Sequence, residues 1–438
     1  MVASPGSCIL ALAGGQRRGE IGFGRFLRNE AVSVAGLSAG AAVQVAKRVL
    51  DRDVLAIQDT SEIILGGKKA RGRGYGPVGK GGRLGGILLH PVLVADAATG
   101  AIHGLADVAV WNRDKGKAVP HPQRGLDDKE SRCWLTGMER AAEVLKQARS
   151  ITVVSDRESD IYEDFARRPE TVQLLIRARF DRQLADGNRL NDHADELPEA
   201  GRFEVNIAAS PGRPARLVTL ALRFGPVSIL RPQRGMPPAA RAVLPECVTL
   251  HLVDVREVGA PDAVQPIHWR LLTSHDVSSH DVSSLGTARK MLDYYRKRWI
   301  IEDYFRTLKT AGFQVEDADI ADPEVMIRFT ALAAIAAVTV TQLLRARDNP
   351  SGQSLLDVFD PDDKPVIQAL CKDYEGPSPS ERQTNPHPTE CLAYATWVIA
   401  RLGGWTGYYG KPGAQTLNRG LQKYYAIKYG TIIAGGLV

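Results

Sequence analysis

Two apolar runs of strand length, each closed by a carboxylate, constrain the fold of this 438-residue chain more than any other feature. Val54-Leu55-Ala56-Ile57-Gln58 leads into Asp59, and Ile151-Thr152-Val153-Val154-Ser155 leads into Asp156. A strand with one face in water alternates apolar and polar residues. A run that is apolar throughout belongs to a sheet covered on both faces, most often a parallel one. Ligands of such sheets sit beyond the carboxyl ends of the strands. The expectation is therefore an α/β chain that carries an Asp at each of two strand ends. An Asp closing a strand is also a common turn or N-cap residue, so the pair gains weight only from a third element.

That element is Tyr295-x2-Arg298-x3-Glu302-x6-Lys309. At about 100° per residue on a helix, these four side chains fall within roughly 60° of one another. Trp299 and Arg306 border the same stripe. A core-facing stripe would be apolar. The alternative is an exposed helix laced by Glu302 with Arg298 and Arg306. A lone acid among cations fits a metal ligand held where phosphates are gripped. Asp59, Asp156 and Glu302 together offer the oxygen ligands that two Mg²⁺ ions need. Such a pair, about 4 Å apart, clamps the attacking and leaving oxygens of a phosphoryl transfer.

Six segments then carry a resemblance: AIQDTSE at 56–62, KESRCW at 129–134, VSDRESDIY at 154–162, WRLLTS at 269–274, YRKRWIIEDYFRTLKTAG at 295–312, and the tail ARLGGW…KPG…TLNRGLQ at 400–422. In this order they resemble the cut-and-paste bacterial transposases of the Asp-Asp-Glu class whose catalytic helix carries the Tyr-Arg-Glu-Lys motif. The similarity runs from about residue 23 to the end.

The resemblance implies an RNase H-like catalytic core interrupted by a mostly β insertion and followed by a helical C-terminal region. It implies Asp59, Asp156 and Glu302 as catalytic metal ligands for two Mg²⁺ ions, with Mn²⁺ as a substitute. The reaction would nick transposon ends and join the new 3′-hydroxyl to target DNA, with no covalent protein–DNA intermediate. Tyr295, Arg298 and Lys309 match residues that hold phosphates near the cut. Trp269 matches a residue that stacks a flipped-out base, its alternative being an ordinary core Trp. Trp299 lines the same pocket or packs the helix. Glu130 matches a family position without a chemical role. The implied partners are inverted-repeat ends, target DNA and a second copy of the chain assembled on DNA.

Composition permits this reading. The net charge of +6 allows nucleic-acid binding without demanding it. Residues 66–86 hold six cations (Lys68, Lys69, Arg71, Arg73, Lys80, Arg83), ten glycines and no acid. Because this segment directly follows the first Asp strand, it is read as a DNA contact, with a solvated loop as the alternative. Cys8, Cys133, Cys247, Cys371 and Cys391 form no Cys-x-x-Cys pair, which argues against a zinc site and suits a reducing cytoplasm. The longest apolar stretch, Phe329 to Leu344, is short for a bilayer and reads as a buried helix, so no membrane partner is expected.

Strands are expected at 53–58, 87–95, 101–111 and Val172–Arg179, and helices at Trp134–Arg149, Ile161–Arg168, from about 285 through the Glu302 motif, and Pro323–Arg347. The β-branched runs Arg202–Ala208, Ala215–Arg223, Val227–Leu230 and Val248–Val255 read as the insertion, and Asp192–Glu199 as an acidic loop. The implied division is 1–50, a remnant of an end-binding region; 51–180, the first part of the core; 181–270, the insertion; 271–372, the second part with the catalytic helix; and 373–438, a helical dimerisation region. Relatives carry a longer helical domain before the stretch matched by 22–33, and Pro5, Gly14, Gly15 and Gly19 are expected to interrupt any helix here. A truncated, non-mobile regulator that binds DNA or a full-length transposase is thus the alternative function. A plain RNase H-like nuclease leaves Trp269 and the basic segment unexplained, and a two-carboxylate glycosidase leaves the clustered cations unexplained.

Overall fold

The computed structural model describes residues 16–66, 73–113, 127, 129–207, 215–261, 264–277, 282–350, 353–376 and 383–434. Helices α1 (Arg17–Arg28) and α2 (Val34–Arg48) precede strands β1 (Asp53–Gln58), β2 (Ser61–Leu65), β3 (Gly76–Val78), β4 (Leu84–Asp96) and β5 (Ile102–Trp111). Then come α3 (Arg132–Val144), β6 (Ser150–Ser155), α4 (Tyr162–Arg167), β7 (Val172–Arg177) and α5 (Leu190–Glu196). Strands β8 (Gly201–Ile207), β9 (Arg216–Leu230), β10 (Cys247–Val258) and β11 (His268–Thr273) follow, with the short α6 (Pro238–Val243) between β9 and β10. The chain ends in α7 (Val282–Lys297), α8 (Ile300–Arg306), α9 (Pro323–Asp348), α10 (Asp363–Glu375), α11 (Leu392–Leu402) and α12 (Ala414–Ala434).

Several expectations are corrected by tertiary context. The N-terminal glycines do not stop α1, which runs through Gly19, Gly22 and Gly24. The Arg328 guanidinium donates to the carbonyl of Leu27 (3.3 Å), in the last turn of that helix, and to that of Val32 (2.7 Å) in the connection to α2. Pro5, Gly14 and Gly15 lie outside the described residues. The acidic segment is not a loop: α5 forms there because Leu190 and Ala194 are both buried. The two runs around residue 225 are one strand, β9. A Cβ on Gly225 would lie 2.8 Å from Leu197, so glycine is what lets the strand pass that side chain.

The expected continuous helix through Glu302 is also broken. It stops at Lys297, turns at Arg298 and Trp299, resumes as α8, and ends in a π-helical turn, Thr307–Ala311. Such a turn often marks a functional position.

By packing, the chain divides into two units, one within Met1–Asp53, Thr60–Gly116 and Trp299–Val438, the other within Val54–Asp59 and Lys117–Arg298. The first is built on β4, which pairs antiparallel with β2, β3 and β5. Helix α9 lies against β5 and packs with α1, α2, α11 and α12. This helix is long and apolar enough to cross a membrane, but 72% of its apolar window is buried in the protein. It is a core helix. Helices α11 and α12 approach so closely that a Cβ on Gly420 would lie 1.8 Å from the Ile399 carbonyl oxygen.

In the second unit, seven of the described strands form a mixed sheet in the order β1-β6-β7-β11-β10-β9-β8. Strands β6 and β7 are parallel, and the pairs from β7 through β11 and β10 to β9 and β8 are antiparallel. Both β1 and β6 are buried at every position after the first, the polar Gln58, Thr152 and Ser155 included. Helix α3 packs on β6 and β7, and α7 on β6, β7, β9 and β10.

This unit buries an unusual carboxyl. Asp164 in α4 is fully buried, and burial, reinforced by Glu163, raises its pKa well above the ordinary value of 3.8 against the opposing pull of Arg132 and Arg167. Folding therefore holds a proton that the unfolded chain releases, and stability falls as pH rises above the ordinary carboxylate range. Asp164→Asn keeps the shape without the charge. It is expected to raise the melting temperature at pH 7 and leave it unchanged near pH 3; an asparagine variant no more stable at pH 7 would contradict this.

Candidate active site

In the second unit the two strand-end carboxylates are brought to one edge of the sheet. Strands β1 and β6 are neighbours. The buried Gln58 amide, the last residue of β1, donates to Ser155 Oγ (3.3 Å), the last residue of β6, and to the Trp134 carbonyl (3.2 Å). Asp59 and Asp156 are the next residues in each case. Asp156 Oδ1 accepts from the Glu158 amide (2.8 Å), which caps the 3-10 turn Arg157–Ser159.

Arg298 stands against the first of these carboxylates. Its Nη1 donates to Asp59 Oδ2 at 3.0 Å, with the side chains only 8% and 13% exposed. The interruption between α7 and α8 has this pair at its start. At a site so shielded from water, the guanidinium holds the carboxylate in one orientation.

Tyr295 is buried beside them. Its ring meets Trp269 edge-on, with centroids 5.7 Å apart. Burial raises the phenol pKa and Asp156 adds to the rise, while Arg298 and the hydrogen-bonded Arg177 oppose it. The second unit thus gathers Asp59, Asp156, Tyr295, Arg298, Trp269 and Arg177. Sequence reasoning missed Arg177. The signal was present: Arg177 closes the apolar run of β7 just as Asp156 follows β6, and parallel register sets Ser155 opposite Ile176.

In the first unit, Glu302 lies in the first turn of α8. With Trp299, Asp303, Arg306, Lys309 and Ser61 it lines an open groove of about 460 Å³. Trp299 is 58% exposed, so it does not pack the helix into the core. Lys309 Nζ, on the π-helical turn, donates to the Glu62 carbonyl (2.5 Å) and pairs with Glu316 (3.6 Å), whose carboxylate also accepts from the Ile64 amide. Glu62 in turn accepts from the Gly79 amide (2.8 Å) and Arg113 (3.2 Å). Arg73 pairs with Asp319. Lys68, Lys69 and Arg71 lie outside the described residues.

The donor chemistry suits a hard divalent cation, since Asp59 and Asp156 are carboxylates at adjacent strand ends. Among the described residues, no group of three or more His, Cys, Asp or Glu side chains is gathered as a metal site.

Compared with known families, residues 231–338 match the transposase DDE domain. The match covers 108 of the 438 residues and includes Trp269, Tyr295, Arg298, Trp299, Glu302 and Lys309, while Asp59 and Asp156 precede it. A DDE transposase domain implies an enzyme of DNA transposition and implies DNA binding, in a family that typically uses divalent metals.

Proposed function

We propose that the chain is a Mg²⁺-dependent DNA transposase that cuts transposon ends and joins them to target DNA, with Asp59, Asp156 and Glu302 as its catalytic carboxylates. The observation that carries this reading is the DDE match over the Glu302 segment, together with two Asp residues at the ends of neighbouring strands. These three side chains would hold two Mg²⁺ ions, for which Mn²⁺ would substitute; when bound, the ions supply Lewis acidity to the attacking and leaving oxygens of the phosphodiester.

The remaining roles follow from the surroundings of each residue. Arg298 orients Asp59 and presents positive charge beside a phosphate. Tyr295 stays a neutral phenol, which suits holding a phosphate and not attacking one. Trp269, whose ring meets Tyr295 edge-on, would stack a base, and stacking of roughly 1–3 kcal/mol is comparable to the few kcal/mol of extruding one. Lys309 ties β2 to the π-helical turn and lends the groove its charge. Residues 51–180 and 271–372 are read as the two parts of an RNase H-like core, 181–270 as its insertion, and 373–438 as a dimerisation region that assembles on DNA.

Duplex DNA from the flanks of the gene, incubated with the protein and Mg²⁺, tests the reading. A nick leaving a 3′-hydroxyl at the element boundary is expected. Cleavage absent with Mg²⁺ and with Mn²⁺, or unchanged in Glu302→Ala, would overturn it.

A further inference from the structure

Residues 391–438 contain five cations (Arg401, Lys411, Arg419, Lys423, Lys428) and no Asp or Glu. Within this stretch, the loop between α11 and α12 holds two of the most exposed aromatic rings of the described residues. Tyr408 is 77% and Tyr409 86% exposed. The loop is nonetheless well fixed. Arg401 stacks between Trp397 (4.7 Å) and Trp405 (5.4 Å) and donates to the Thr406 carbonyl. Trp405 Nε1 donates to the Gly410 carbonyl at 3.0 Å. Gly404, Gly407 and Gly410 take positive φ of 93°, 86° and 52°, the backbone reversals that a side chain would resist. Two tyrosines are thus held out in water on a rigid turn, an arrangement that hydrophobic burial does not explain.

The charges of α12 are of one sign. Arg419 and Lys423, one helical turn apart and exposed, are paired with no acid among the described residues. Lys411 adds a third cation, shared with Asp348 at 2.7 Å. Arg419 Nη1 donates to the Gly403 carbonyl at the foot of the loop (3.4 Å), so rigid aromatic rings and cations of one sign share this end of the helix pair, a stacking platform with an electrostatic track.

We propose that the Gly403–Gly413 loop and the Arg419/Lys423 face of α12 bind an unpaired DNA strand, with Tyr408 and Tyr409 stacking on its bases. None of these residues lines the groove that holds Glu302. The test uses the full chain with Glu302→Ala, so that no cutting intervenes, and follows the anisotropy of labelled single-stranded DNA and of a duplex of equal length. Adding Tyr408→Ala and Tyr409→Ala together is expected to weaken single-strand binding about tenfold or more and duplex binding less than about twofold. The corresponding Phe pair keeps the rings and is expected to keep the affinity. Arg419→Gln with Lys423→Gln should lower the salt dependence of single-strand binding by about 1.4 in log–log slope. Single-strand affinity unchanged in the Ala pair, or lost equally in the Phe pair, would overturn the proposal. So would loss of self-association in sedimentation with single-strand affinity retained, which would make the loop an interface between copies of the chain.

Discussion

Asp156→Asn and Glu302→Gln are each expected to lower strand transfer by about 10³-fold or more while leaving the fold intact. Each substitution removes one anionic oxygen and keeps the size and shape of the side chain. Asp156 makes a local cap to the Glu158 amide, which an asparagine oxygen reproduces. Glu302 lines an open groove. Asp59→Asn should abolish activity equally but carry a further cost. It leaves the Arg298 guanidinium, 8% exposed, facing a neutral amide where it had a carboxylate at 3.0 Å. Removing one partner of a buried pair outright costs about 3–5 kcal/mol, and the amide retains an acceptor, so a smaller loss is expected. Melting curves beside the activity assay separate the cases: all three inactive, only Asp59→Asn clearly destabilised. Full activity in any of the three would remove that residue from the catalytic set.

The largest effect on stability is expected at Asp160, four residues beyond the proposed ligand Asp156. Its side chain is completely buried. Oδ2 accepts from the amides of Arg179 (2.7 Å) and Phe180 (2.9 Å), and Oδ1 from Arg182 Nε (2.7 Å). Arg182 returns a bond to the Asp160 carbonyl (2.5 Å) and lies over the rings of Phe165 and Phe180. One carboxylate thus fixes the turn after β6 to the chain leaving β7. Asp160→Ala orphans two amides and takes the carboxylate from a guanidinium that is 9% exposed, leaving it only the backbone carbonyl, at a cost of about 3–5 kcal/mol. Urea unfolding followed by tryptophan fluorescence should show a large drop in midpoint, with Asp160→Asn between the two. An alanine variant within about 1 kcal/mol of the parent would contradict this.

These three carboxylates show where the sequence was legible. Asp59 and Asp156 stand out because the strands before them are buried on both faces, and that burial is written in short runs dominated by Val, Ile and Leu. Asp160 carries no such mark, since its partners at 179–182 are reached only by folding. Helix α1 was hidden for a related reason: its glycines argue against a helix locally, and the guanidinium that supports it comes from Arg328. The break after Lys297 has its first residue, Arg298, buried against Asp59, 239 positions away in sequence. The helical-wheel argument treated that segment as ideal and so predicted one polar face. In the structure Tyr295 and Arg298 are buried, whereas Trp299 and Glu302 line a groove. Lys309 was expected at phosphates. Its contacts with Glu62 and Glu316 give it a structural partner that spacing alone could not reveal.

Joining of a pre-cut DNA end tests the central claim most directly. Ends from the flanks of the gene, bearing free 3′-hydroxyls, would be mixed with plasmid, the protein and Mg²⁺ or Mn²⁺, beside Glu302→Ala. The account predicts covalent end–plasmid products that need the divalent ion and disappear in the variant. No joined product with either ion, or equal joining by Glu302→Ala, would contradict it.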